Sequence, residues 1–498
     1  MCTALVCIIF PISSCTNESS NDDSSRPDGV ISLPLFSDVT DKAGIKSSAV
    51  HGQSGAWADV NNDDRLDLIV TNAQLRRKDA RNVFLYRNDG LPFTDITERS
   101  GILNQAILKV AWGDYNNDNR LDLIVGTAMG NAPPKLYKNL GGGVFVDEST
   151  KAGVTKQGGV SHAIWVDYDR DGLLDIFQAK RGGSFLYKNQ GNETFAEVSD
   201  EAGLRNSFLT RSAVWFDFDN DGFQDLFLAN DGLNTLYKND GDGSFTDITD
   251  SSGLAGDPTW RSVAACVGDY DNDGFLDLYV NNINTSRKAL YRNKGDGSFA
   301  DVTSASGTQD VGDGRTCSWV DFDADGRIDI FTTNHLNPSK LYRNLGNGKF
   351  EDVAPQVGLD SPIDAFAATW GDFNNDGYMD VFLTGHIGTA LMKSSGNNAN
   401  YLILKLRGDG SLTNTSAIGT RVELRTSSGI QIREVSGGRG CCEQDMLPLH
   451  FGLGKEKRVD ILVKWTSGKQ CSFNGVNVDG GKVLKLSEEA CDLEEINV

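Results

Sequence analysis

Residues 269–277 read Asp269-Tyr-Asp-Asn-Asp-Gly-Phe-Leu-Asp277, and this phrase decides the fold because it does not stand alone. Variants of it begin at six other places: DVNNDDRLD at Asp59, DYNNDNRLD at Asp114, DYDRDGLLD at Asp167, DFDNDGFQD at Asp217, DFDADGRID at Asp321 and DFNNDGYMD at Asp372. Every copy has Asp or Asn at positions 1, 3 and 5 and Asp at position 9. The candidate ligands are therefore Asp59, Asn61, Asp63 and Asp67; Asp114, Asn116, Asp118 and Asp122; Asp167, Asp169, Asp171 and Asp175; and Asp217, Asp219, Asp221 and Asp225. They continue with Asp269, Asp271, Asp273 and Asp277; Asp321, Asp323, Asp325 and Asp329; and Asp372, Asn374, Asp376 and Asp380. Hard oxygen donors at alternate positions of a tight loop suit Ca²⁺, which takes six to eight oxygens at about 2.3–2.6 Å. The expected cofactor is calcium, up to one ion for each of the seven loops.

Position 6 is Gly in five copies, Asp64 in the first and Asn119 in the second. These residue types tolerate the left-handed backbone that a sharp turn needs. Position 7 varies freely, as expected if only its carbonyl is used. The closing Asp is always followed by an apolar residue (Leu68, Leu123, Ile176, Leu226, Leu278, Ile330, Val381), so a strand is expected to begin where each loop ends.

Successive loops start 55, 53, 50, 52, 52 and 51 residues apart, a period that implies stacked or radially arranged units. Within each period an apolar run enters the loop and a second strand such as DLYVNN leaves it. A third strand of the LYKN or LYRN type, a Gly/Asn/Asp turn and a fourth strand such as FTDIT follow. Four strands in about 50 residues make one propeller blade. Trp stands two residues before the first Asp in six copies (Trp57, Trp112, Trp165, Trp215, Trp319, Trp370), and packing between blades is the expected role. Phe36–Thr40 reads as a fourth strand with no blade before it, and the last copy ends on a third strand at Ala390–Lys393. The N-terminal strand should therefore complete the seventh blade and close the ring. The expected fold is all-β: a seven-bladed β-propeller followed by a small β-sandwich or barrel domain.

These D-x-[DN]-x-D-G-x-x-D loops, with LYxN and FxDVT strands, resemble the FG-GAP/VCBS repeats of integrin α-type propellers over about residues 33–395. After Gly396 the pattern changes. Tyr401–Arg407, Thr420–Arg425, Ile430–Val435, Val459–Trp465 and Lys482–Leu486 read as strands by alternation. The phrases AIGTRVEL, IQIREVSGGRG, HFGLG and VDILVKWTSGK resemble the ASPIC/UnbV domain of cartilage acidic protein-like proteins. The expected organisation is a leader at 1–15, a tether at 16–32, the propeller at 33–395, the second domain at 396–487 and an acidic tail at 488–498.

The net charge of −22 makes nucleic acid an unsuitable partner, and seven Ca²⁺ would bring it to −8. No run of 18 or more apolar residues exists. Ile12-Ser13-Ser14-Cys15 resembles a lipobox, which would lipidate Cys15 and make that anchor the only membrane contact of an exported, cell-surface or secreted protein. Cys266 precedes its loop by three residues and Cys317 by four, so alternation puts them on opposite faces of their strands, as small core residues. Cys441, Cys442, Cys471 and Cys491 allow one or two disulfides with open pairing. Arg407-Gly408-Asp409 and His450 are read as structural.

The acidic loops and the strand 3–4 turns share one face of the disc. The opposite face would hold His51, His162, Arg211, Trp260, Arg261, Arg315, His335 and His386, and partner binding is expected there. The function expected is non-enzymatic binding of an extracellular protein or glycan, as in adhesion. The alternative is a calcium-dependent polysaccharide lyase or other carbohydrate-active enzyme.

Overall fold

The computed structural model describes residues 32–45, 52–72, 82–102, 107–127, 133–156, 160–180, 182–204, 208–284, 287–360, 364–438 and 443–496. Cys15, His51, Cys441 and Cys442 lie outside the described residues.

The regular structure of the described residues is nearly all β, arranged in nine sheets. Seven of these carry one acidic loop each. The fifth shows the common plan: Ser262–Gly268, Asp277–Asn282, Ala289–Asn293 and Phe299–Asp301 lie in sequence order with antiparallel neighbours. The loop joins the first two strands, so its closing Asp is the first residue of the second strand in every copy. First strands of successive sheets touch, and the strand Gly52–Ala58 also touches Ala365–Gly371, so the cycle closes into a propeller. Phe36–Asp38 pairs antiparallel with Gly388–Ser394 and forms the outer strand of the last blade, as the unmatched ends of the repeat require.

The tryptophans explain why blades pack at a constant spacing. Trp57, Trp112, Trp165 and Trp370 are fully buried. Trp57 Nε1 donates to the Thr369 carbonyl at 3.2 Å, Trp165 Nε1 to Ala111 at 3.1 Å and Trp319 Nε1 to Cys266 at 3.1 Å. Each acceptor lies on the first strand of the preceding blade. The same rings stack on the aromatic residue at position 2 of the preceding loop: Trp57 on Phe373, Trp165 on Tyr115 and Trp319 on Tyr270.

Cys266 and Cys317 form a disulfide with Cα atoms 5.9 Å apart, which corrects the reading of them as separate core residues. Opposite faces is the arrangement that lets them meet. One face of the fifth blade's inner strand looks at the sixth blade, and the opposite face of the sixth looks back.

Residues 400–495 form two four-stranded sheets around a core containing Leu402, Val422, Phe451, Ile461 and Val463. The five strands read from alternation are present, with additional strands at Leu449–Gly454 and Gln470–Asn477. Residues 488–498, read as a tail, contribute the strand Leu493–Glu495, paired with Lys482–Ser487, and Cys491 is bonded to Cys471. The tail reading missed the strand because an acidic, short strand at a sheet edge carries no hydrophobic alternation, while the Cys471–Cys491 bond is one of the pairings left open.

Candidate functional site

Each acidic loop is built by its own backbone. The position 1 carboxylate accepts from the N–H groups of residues 5 and 6, as Asp269 does from Asp273 at 3.1 Å and Gly274 at 3.0 Å. The closing carboxylate accepts from position 2 and from the third strand, as Asp277 does from Tyr270 at 3.1 Å and Asn293 at 2.8 Å. Position 6 is left-handed in every copy, from φ +66° at Asn119 to +95° at Gly274. Position 4 is left-handed as well (Asn62, Asn117, Arg170, Asn220, Asn272, Ala324, Asn375), a feature the sequence reading missed. Its signal was there: five of the seven are Asn, which tolerates this region best after Gly.

The Asn of each LYxN phrase is a second omission. Asn239 Nδ2 donates to the Gln224 carbonyl at 3.1 Å in its own loop and to Tyr168 at 2.8 Å in the preceding one. Asn88, Asn139, Asn189, Asn293 and Asn344 repeat the bridge. Position 4 asparagines reach the other way, as Asn62 does to Asn119 O and Asn220 to Gly274 O. The loops are thus stitched to one another around the disc. The cation before the LYxN asparagine leans over the loop: Lys188 pairs with Asp169, Lys238 with Asp219, Arg292 with Asp271 at 2.6 Å and Arg343 with Asp323 at 2.7 Å.

The donor set fits a hard cation. Carboxylate oxygens of Asp167, Asp169 and Asp175 lie within 4.8 Å of one another. So do those of Asp217, Asp219 and Asp225, of Asp269, Asp271 and Asp273, and of Asp321, Asp323 and Asp325. Buried acceptor oxygens remain without a hydrogen-bond partner on Asn61, Asp167, Asp169, Asp271, Asp323 and Asp380. Such atoms are costly unless a cation or donor meets them. Burial pushes the position 1 carboxyls of Asp269 and Asp372 up to about 7 and that of Asp167 up to about 8. It also pushes the closing Asp67 up to about 7 and Asp225 up to about 9. The first, second and seventh loops offer an Asn at position 3 in place of a carboxylate.

The second domain lies on this loop face. Arg421 Nη2 donates to the Gly274 carbonyl at 2.8 Å while Nη1 pairs with Glu434 at 3.1 Å. Lys405 and Lys485 both bond Asp64 at 2.9 Å, and Thr415 Oγ1 donates to Asp114 at 2.5 Å. His450 Nε2 lies 3.1 Å from the Gly377 carbonyl, a structural contact. Gly452 of HFGLG sits so close to the sixth loop that an added Cβ would lie 2.1 Å from Asp321 Oδ2. Gly437 and Glu443–Met446 meet the free inner edges of four blades. Gly437 O accepts from Trp165, Glu443–Gln444 pairs parallel with Gly55–Ala56, the Gln444 amide bonds both backbone groups of Trp112, and Met446 donates to Trp370 O. Asp445 Oδ1 accepts the N–H of Trp370 at 2.7 Å. Inner-strand edges that would otherwise be open are thereby filled. Arg433 is half-buried with the charges of Asp321, Asp269 and Asp329 around it.

The FG-GAP-like repeat matches residues 59–125, 167–228, 217–280, 269–332 and 321–383, more than half of the chain. The chain belongs to the FG-GAP-like repeat family. Residues 410–492 of this FG-GAP-like chain match the ASPIC and UnbV family. Cartilage acidic protein 1 of Xenopus tropicalis is 29% identical over 271 residues, covering 41% of each chain, and that of Homo sapiens is 28% identical over 288 residues, covering 44% of this chain and 43% of the relative. The chain thus matches less than half the length of these curated relatives. Among solved structures, an Agrocybe aegerita lectin described as recognising non-reducing terminal N-acetylglucosamine is 19% identical. Its TM-score is 0.44, over 64% of this chain and 88% of the lectin.

On the face away from the loops, the FG-GAP-like propeller places most of the residues expected there. Arg211 and Arg261 share Asp231, at 2.5 and 3.4 Å. Trp260 lies under the Arg287 guanidinium, and Arg315 lies over Phe366. His162 is a correction. It sits within the first strand of its blade, fully buried, and burial holds its pKa well below the ordinary imidazole value. Asp409 of the Arg407-Gly408-Asp409 triplet accepts backbone N–H groups of Ser411 and Leu412, consistent with the structural reading.

Proposed function

We propose that this chain is an exported, non-enzymatic propeller, stabilised by calcium in its acidic loops, that binds an extracellular protein or glycan through the face opposite those loops. The observation that carries this reading is the docking of the second domain on the loop face. With that face occupied, the strand 2–3 and strand 4–1 connections of the other face and the strand ends beside them remain for a partner, and they hold Arg211, Trp260, Arg261, Arg315, His335 and His386. Calcium would neutralise the clustered carboxylates, held by positions 1, 3 and 5 and the closing Asp, up to seven ions in all. Two disulfides support an oxidising compartment. Among the described residues no helix is long and apolar enough to cross a membrane. Lipidation of Cys15 is part of the same proposal.

The test is a screen of glycans and extracellular proteins with the calcium-loaded chain, repeated with Trp260→Ala and Arg315→Ala. Binding that these substitutions abolish supports the reading. Release of unsaturated, ultraviolet-absorbing products from uronate polymers would overturn it in favour of the lyase alternative.

A further inference from the structure

Away from the acidic loops, the sixth and seventh blades bring His335, Asp364 and His386 together. One ligand-capable atom of each lies within 4.8 Å of the other two. His335 Nδ1 is 2.9 Å from Asp364 Oδ1, and the two imidazole rings are 4.7 Å apart. The group is held from several sides. Asp364 Oδ1 also accepts the Leu336 N–H at 2.6 Å, and its carbonyl accepts the His386 N–H at 3.2 Å. Phe366 meets the His386 ring edge-on at 5.4 Å. Leu336 and Asp364 both take a left-handed backbone, at φ +57° and +52°. For Leu this conformation is unfavourable, and it persists where the surroundings hold it.

We propose that His335, Asp364 and His386 form a binding site for a divalent first-row transition ion of the Zn²⁺ type. The donor set separates it from the acidic loops: imidazole nitrogen favours Zn, Cu, Fe and Ni, whereas all-oxygen sites favour Ca and Mg. A hydrogen-bonded His–Asp pair needs only one imidazole, whereas an ion accounts for the convergence of two. Tetrahedral Zn²⁺ with bonds near 2.0–2.1 Å separates its ligands by about 3.3 Å, so His335 Nδ1 and Asp364 Oδ1, now 2.9 Å apart, part slightly as it binds, and His386 needs to move in by no more than roughly 1.5 Å. Three protein ligands leave a position for water or an external oxygen or nitrogen donor. That position opens to solvent beside Leu336 and Ile387, which are 80% and 70% exposed.

The test uses the full chain in excess Ca²⁺, so that the acidic loops are filled, after transition metals have been removed. Zn²⁺ is titrated calorimetrically, and Co²⁺ is followed by its visible absorption. The expected result is about one ion per chain and a Co²⁺ band typical of nitrogen and oxygen ligands. His386→Ala and His335→Asn should each weaken binding by more than about tenfold, since loss even of a residue behind a ligand costs that much. The calcium-loaded melting temperature of each variant shows that it is folded. Absence of Zn²⁺ binding, or binding of unchanged affinity in the folded double variant, overturns the proposal.

Discussion

Asn239 shows how much one side chain does in this ring. Its backbone N–H holds the closing carboxylate of its own loop, and its amide satisfies buried carbonyls in two successive loops. Asn239→Ala keeps the first contact and loses the others, leaving two buried acceptors unmet. An unsatisfied buried polar group costs about 1–3 kcal/mol. Denaturant unfolding at saturating calcium should show a loss of at least that size, whereas Asn192→Ala, in an exposed turn, should lie close to the parent. Equal midpoints for the two variants would show that the staples between loops carry no stability.

Among elements, the outer strand of the last blade comes from the far end of the chain. Phe36–Asp38 pairs with residues more than 350 positions away, and Phe36 lies edge-on against Trp370. Deleting residues 16–32 should leave the melting temperature unchanged, while deleting 16–40 should lower it across the whole propeller. Calorimetry on both truncated chains decides this, and equal values would refute closure by this strand. A covalent clasp acts elsewhere in the ring. Cys266–Cys317 ties neighbouring inner strands across 51 residues, and a bridge of that span contributes roughly 2–4 kcal/mol. Cys266→Ala with Cys317→Ala should therefore melt several degrees lower, and the reductant sensitivity that remains should come from Cys471–Cys491.

For the molecule as a whole, the acidic loops set the response to calcium and to pH. Without metal, two carboxylates about 4 Å apart repel by about 4 kcal/mol at an effective dielectric near 20, and relaxation and solvent reduce this. Burial raises Asp67, Asp269 and Asp372 to about 7 in the folded chain, above their unfolded value near 4. A raised folded pKa means that the associated stability is full at low pH and is lost as pH rises through about 7. The calcium-free chain should therefore lose melting temperature steadily from pH 5 to pH 8. Saturating calcium should remove or reverse that slope, since the ion binds the deprotonated carboxylates and displaces their protons. Each filled site adds about 2.7 kcal/mol at a hundredfold excess over Kd. A metal-free chain with a flat profile, or a melt unmoved by EGTA, would remove calcium from the proposed function.

What the sequence determined by itself is the periodic part: the loops, their turn at position 6, the strand that follows each loop, the inward tryptophans and the unmatched end strands. These depend on residues near one another in the chain or on a repeat that fixes equivalent surroundings, so spacing is enough to read them. The asparagine staples were visible as a constant letter in LYxN, yet their partners stand about 75 residues back and become neighbours only once blades stack. Tertiary structure alone decided the rest. Cys266 meets Cys317 because adjacent blades present opposite faces to each other. The second domain settles on the loops because its Arg421 finds the Gly274 carbonyl there and its Lys405 and Lys485 find Asp64. His335, Asp364 and His386 converge because the disc places connections of two consecutive blades side by side. Local pattern specifies the blade, and closure of the ring specifies which distant residues share a site.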